Sequence, residues 1–169
     1  TQQRVWQRIT LAAEGGSTSL IPYLKTLLPR NEQYLADLYL TVRRDPSASA
    51  GLYRFKKKTA KEGQIALYGV KRLVWRDKDL ALRAWEKLDK MFTYTDEQKA
   101  DVYYSFALSL ASSGHNQARF WLNKVPKERQ TSKLMQWQLA NMLERQDWSG
   151  IAAFFTGKEN LSLGQQYWL

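Results

Sequence analysis

Several helix-forming stretches of this chain carry more apolar residues than one helix face can hold. Between Thr59 and Trp75, Ala66, Val70, Leu73 and Val74 fall at i, i+4, i+7 and i+8, a single apolar stripe, while Ile65, Tyr68 and Trp75 lie off it. Met135, Leu139, Met142 and Leu143 repeat the stripe, with Leu134, Trp137 and Ala140 outside it. A helix that is greasy on two sides needs neighbours on two sides. Consecutive helical hairpins stacked in a row supply that arrangement.

The punctuation of the chain agrees. Thr59-Ala60-Lys61-Glu62 and Thr95-Asp96-Glu97-Gln98 are capping boxes, in which a Thr hydroxyl and an acid or amide three residues on satisfy the first backbone N–H groups of a helix. The first opens a helix to about Trp75, turned at Arg76-Asp77-Lys78 and followed by a helix from Asp79 to Met91. The second opens a helix to Ser112, turned at Ser113-Gly114-His115 and followed by a helix to Lys124, with Pro126 ending the hairpin. Ser132 to Arg145, a turn at Gln146-Asp147 and Trp148 to Phe155 make a third hairpin. The period is about 35 residues, the kind of spacing that marks an α-solenoid. An Ala recurs in the second helices at 81, 118 and 152, where a small side chain lets paired helices approach closely. Earlier in the chain, helices are expected from Gln2 to Glu14, from about Ser19 to Leu28 and from Gln33 to Arg44, with a short fourth from Ser47 to about Lys57 behind an Asp45-Pro46 start signal. The expected fold is all-α, a right-handed superhelix of stacked helical hairpins (an α-solenoid of tetratricopeptide-like type), forming a single domain over residues 1–169.

Among the seven Trp, Trp75, Trp85, Trp121 and Trp137 sit at helical spacing with other apolar residues and are expected in the core. In the adjacent pairs Tyr103-Tyr104 and Tyr167-Trp168 only one partner can face a given core, which leaves the other as a weak binding candidate. His115, the single histidine, belongs to a turn. No metal set and no Ser-His-Asp arrangement can be built around it. Glu62 and Gln98 are cap partners. Asp77, Asp79 and Asp147 belong to turns, and Asp96 and Glu97 complement a helix dipole. There is no phosphate-binding glycine loop and no nucleophile elbow, so neither a catalytic residue nor a cofactor is expected. With no cysteine, disulfides and thiolate metal sites are excluded. No apolar run reaches the roughly 20 residues that a membrane span needs.

The net charge is +10, and residues 1–90 hold 18 Lys/Arg against 9 Asp/Glu. The densest cluster is Arg54, Lys56, Lys57 and Lys58, with Lys71 and Arg72 further on, and these six are the candidate contacts for an anionic polymer. The competing view of Arg54 to Lys58 is a solvated helix end. An RNA-binding helical repeat would show recurring polar code positions; none recurs, so no nucleic acid is expected. A tetratricopeptide-like protein-interaction solenoid stays open as an alternative, although the regular Trp-Leu-Gly-Tyr pattern of such repeats is missing.

One stretch carries a more specific likeness. Thr95-Asp96-Glu97-Gln98 leads to Ala107-Leu108-Ser109-Leu110-Ala111, then to Ala118-Arg119-Phe120-Trp121-Leu122-Asn123-Lys124-Val125-Pro126. Gln136-Trp137-Gln138-Leu139-Ala140-Asn141-Met142-Leu143-Glu144-Arg145 follows, ahead of Asp147-Trp148. This order resembles the superhelical arm of the soluble lytic murein transglycosylases of Gram-negative bacteria, with Asp45-Pro46 to Phe55 similar in a looser way. The resemblance implies a periplasmic parent enzyme, expected to be a monomer, with a separate C-terminal lysozyme-like domain. That domain cleaves the β-1,4 bond between N-acetylmuramic acid and N-acetylglucosamine and leaves a 1,6-anhydro product. The resemblance also implies a Glu-Ser motif for the catalytic acid; no Glu here is followed by Ser, so this fragment is expected to be inactive alone. Its implied partners are peptidoglycan and the catalytic domain of its own parent. A start at Thr1 and an end on Tyr167-Trp168-Leu169 read as cut ends of a longer chain.

Overall fold

The computed structural model describes residues 1–144, 146 and 148–156. Among them the elements are helical: α1 (Gln2–Gly15), α2 (Ile21–Thr26), α3 (Gln33–Arg44), α4 (Ala60–Leu73), α5 (Lys78–Met91), α6 (Asp96–Ser112), α7 (Ala118–Lys124), α8 (Ser132–Glu144) and α9 (Trp148–Thr156), with short 3-10 turns between several of them. The all-α hairpin architecture expected from the sequence is the one observed. The chain divides into two compact units, Thr1–Gln98 and a second from Lys99 onward.

In the first unit α4 is the central helix. It packs against α3, α5 and the 3-10 turn Pro46–Ala50. The off-stripe residues Ile65 and Tyr68 are buried along with Ala66, Val70 and Leu73. Each large apolar side chain so enclosed contributes about 1.5–3 kcal/mol. Gly69 makes the closest approach: a Cβ there would lie 2.5 Å from Val42 Cγ1 and 2.7 Å from Ser49 Cβ. A polar chain threads the same core. Trp6 Nε1 donates to Gln64 Oε1 (3.0 Å), and Gln64 Nε2 donates to Thr10 Oγ1 (2.9 Å) and to the Tyr39 hydroxyl oxygen (3.1 Å). Tyr39 in turn donates to Glu14 (3.2 Å). Burial and the nearby Glu14 push the Tyr39 phenol above its usual range, and burial pushes the Glu14 carboxyl up.

In the second unit Trp121 of α7 packs on Phe106 and Tyr103 of α6, with ring centroids 4.9 and 5.9 Å apart. Leu139 of α8 forms a cluster with Ile151, Phe154 and Phe155 of α9, and Met135, Met142 and Leu143 pack against it. The stripe read from the sequence therefore faces α9.

Four local expectations are corrected. Residues 46–54 form two 3-10 turns, Pro46–Ala50 and Leu52–Arg54, in place of an α-helix to Lys57. Ser49 Oγ donates to Pro46 C=O (2.7 Å), and such local side-chain bonds compete with helical ones. The segment from Ser17 begins as a 3-10 turn, Thr18–Leu20, and the α-helix ends at Thr26. Trp75 lies past the end of α4 and is 51% exposed, whereas Trp85 and Trp121 are buried and Trp137 is half-buried. Ala81 and Ala118 are buried as expected, but Ala152 is exposed and Ile151 takes its place against Leu139. Arg145, Asp147 and the Tyr167-Trp168 pair lie outside the described residues.

Candidate functional site: a cationic and aromatic groove

A single buried residue anchors the segment from Tyr53 to Lys57. Phe55 is buried against Phe92, their rings nearly perpendicular at 6.1 Å, and this anchor leaves Tyr53, Arg54, Lys56 and Lys57 exposed around it. They form one wall of a groove of ≈ 610 Å³. The facing wall comes from Arg30 and Asn31 and from Tyr34, Asp37, Leu38 and Thr41 of α3. Four cations meet one carboxylate, and that carboxylate, Asp37, already accepts from Lys25 Nζ at 2.8 Å. The surplus positive field is therefore unopposed within the groove walls.

Aromatic rings lie beneath the cations. Lys57 Nζ sits 4.7 Å from the centroid of Tyr34 and donates to Asn31 C=O at 3.2 Å. The Arg54 guanidinium lies 5.0 Å from the centroid of Tyr53, which is itself 69% exposed. Tyr34 is held from behind: its phenol donates to Glu62, whose other oxygen accepts the Lys58 backbone N–H at 3.2 Å. Glu62 is fully buried. Desolvation, with the Glu62 bond second, pushes the Tyr34 phenol up to about 12, so it stays a neutral donor at ordinary pH. Cations, an amide and two phenol rings equip this groove for binding an anionic, partly apolar chain. Among the described residues no group of three or more metal-ligating side chains forms.

The six candidate contacts separate. Arg54, Lys56 and Lys57 share the groove. Lys58 adopts a left-handed backbone (φ 53°) and spends its N–H on Glu62. Lys71 and Arg72 do not line the groove: Arg72 donates to Arg43 C=O (2.8 Å) and to the Tyr68 hydroxyl oxygen (3.0 Å), and Lys71 acts on Glu14. Arg30, Tyr34 and Tyr53 complete the groove, and no run or motif in the sequence marks them. Tyr103 packs on Trp121, and Tyr104, half-buried, bonds Thr131 Oγ1 through its hydroxyl at 3.1 Å; neither lines the groove.

No family model and no curated protein sequence matches the chain. Solved structures do. An inactive mutant of the lytic transglycosylase Slt from Pseudomonas aeruginosa superposes with a TM-score of 0.88 at 21% identity, over 99% of this chain and 28% of that one. The 70-kDa soluble lytic transglycosylase in complex with bulgecin A gives a TM-score of 0.57 at 17% identity, over 89% of this chain and 30% of that one. The chain thus spans under a third of the proteins it resembles, and its fold is that of a segment of a soluble lytic transglycosylase.

Proposed function

We propose that this chain is part of the non-catalytic helical scaffold of a periplasmic lytic transglycosylase, and that its cationic groove holds peptidoglycan strands near a catalytic domain elsewhere in the parent protein. The observation that carries the reading is the likeness to lytic transglycosylase Slt along 99% of the chain. The groove fits it chemically. Murein stem peptides carry carboxylates that Arg30, Arg54, Lys56 and Lys57 can pair, and the exposed Tyr53 ring offers apolar surface to the rest of the strand. Individually weak contacts suffice on a polymer, because each one raises the effective concentration for the next. In this reading the parent enzyme breaks the β-1,4 glycosidic bond with its lysozyme-like domain, and the present chain supplies position.

Co-sedimentation with purified murein sacculi at low and high salt tests this. Binding is expected at low salt and is expected to fall steeply as salt screens the cations. The triple variant Arg54→Glu, Lys56→Glu, Lys57→Glu should abolish it, with the helical circular dichroism unchanged. Sacculus binding that ignores both salt and the triple reversal sinks the groove assignment.

A further inference from the structure

The second unit holds a different kind of cavity. The turn between α6 and α7 is shaped by Gly114 (φ +68°) and by His115, whose Nδ1 accepts the Gln117 N–H at 3.0 Å. It presents Asn116 beside Arg119 of α7. The opposite wall is α8, where Trp137, Asn141 and Glu144 fall at i, i+4 and i+7, one side of the helix. The cavity is open on one side and has a volume of ≈ 450 Å³, within the range of about 300–1,000 Å³ typical of small-molecule sites. A second cavity of ≈ 360 Å³ shares Arg119 and Asn141 with the first and adds the amides of Asn123 and Gln138. The two cavities adjoin at Arg119 and Asn141 and are taken together as a trough along α7 and α8.

This trough contrasts with the groove of the first unit. Arg119 and Glu144 offset each other in charge, so no net field selects an anion. Asn116, Asn123, Gln138 and Asn141 add four side-chain amides beside the apolar surface of Leu122, Met142 and Phe154, and an amide both donates and accepts, as a hydroxyl does. Trp137, half-buried, adds an aromatic wall. The matching ligand is uncharged, longer than one cavity, apolar on one face and rimmed by groups that donate and accept. A pyranose chain has this form, with C–H bonds on the ring face and hydroxyls at the edge. A nucleic acid would need cations for its phosphates, which the trough does not supply in excess. We propose that the α7–α8 trough binds a neutral segment of an N-acetylated glycan, Trp137 stacking on a sugar ring and Asn141 bridging adjacent residues. The saccharide class rests on these side chains; the choice of acetamido sugars rests on the proposed murein role.

The probe is tetra-N-acetylchitotetraose, titrated into the full chain and followed by amide NMR shifts at low and high salt. Shifts are expected in α7 and α8, with an affinity that changes less than about twofold with salt. Trp137→Ala and Asn141→Ala should each weaken binding about tenfold, equivalent to about 1.4 kcal/mol, and Trp137→Phe should restore part of it. Asn141 is a helix-surface residue, so its variant separates lost binding from lost folding. Absence of binding, or binding undiminished in both alanine variants, overturns the proposal. So does an extended stem peptide shifting these residues when the tetrasaccharide does not. If the tetrasaccharide binds but sacculi never do, the murein role fails and the trough stands. Sacculus binding through the first unit with no tetrasaccharide binding leaves the murein role standing and removes the trough.

Discussion

A fully buried carboxylate persists only when its oxygens are satisfied, and both oxygens of Glu62 are, by the Tyr34 phenol and the Lys58 N–H. The arrangement fixes the ring over which Lys57 lies. It also sets a pH signature. The Tyr34 phenol is raised in the folded state to about 12, so its contribution to stability is fully present below the ordinary tyrosine value of about 10 and is lost as pH rises through about 12. A phenolate-absorbance titration should show a late step near 12 that is missing in Tyr34→Phe and that moves down in Glu62→Gln. A step left in place by Glu62→Gln would mean that the bond contributes nothing to the shift. Gly69 is a second residue whose environment decides its identity. Gly→Ala inside a helix normally gains up to about 1 kcal/mol in propensity. Here the new methyl would meet Val42 and Ser49 below 3 Å, and overpacking costs about 1–3 kcal/mol. Gly69→Ala should therefore lower the urea midpoint; a raised midpoint would show that the α3–α4 contact yields easily.

At the scale of elements, the capping boxes were fully legible in the sequence and yet do not work alike. Thr95 and Gln98 close both legs: Thr95 Oγ1 accepts the Gln98 N–H at 3.1 Å, and Gln98 Oε1 accepts the Thr95 N–H at 2.9 Å. Thr59 Oγ1 accepts the Glu62 N–H at 3.2 Å, but the Glu62 carboxylate turns to Lys58 and Tyr34. The sequence shows only that an acid stands three residues past a Thr. Which donor it meets depends on a phenol 28 residues away. The same limit hid half of the cationic groove. Arg54, Lys56 and Lys57 stand out as a run, but Arg30 and Tyr34 reach them only through the packing of α3. Trp75 shows the limit in the core: periodicity carries it into the helix, but α4 stops at Leu73 and Asp77 caps the next helix through the Leu80 N–H at 3.1 Å. The consequence is measurable. Trp85→Ala should cost about 3–5 kcal/mol in chemical denaturation, and Trp75→Ala, at a half-exposed position, should cost clearly less. Equal costs would place Trp75 in the core after all.

For the molecule as a whole, the division into two compact units carries a statement about cooperativity. In arrays of helical hairpins stability is close to a sum of local terms and nearest-neighbour contacts, so damage need not spread evenly. Leu134, fully buried in α8, offers the means of damage. Leu134→Ala removes a core side chain at a cost of about 2–5 kcal/mol, and the loss falls on the unit that begins at Lys99. The first unit keeps its own enclosed core, with Ile65, Leu73 and Leu88 all at 1% exposure or less. Native-state hydrogen exchange resolves the two cases, since it reads opening free energies segment by segment. In the variant, amides of α7 and α8 should lose protection by a factor of about 30 or more, the equivalent of about 2 kcal/mol, while the slowest amides of α3 and α4 keep theirs. If every amide speeds up together, the chain opens as one cooperative body, and stability in this protein is not a sum of local terms.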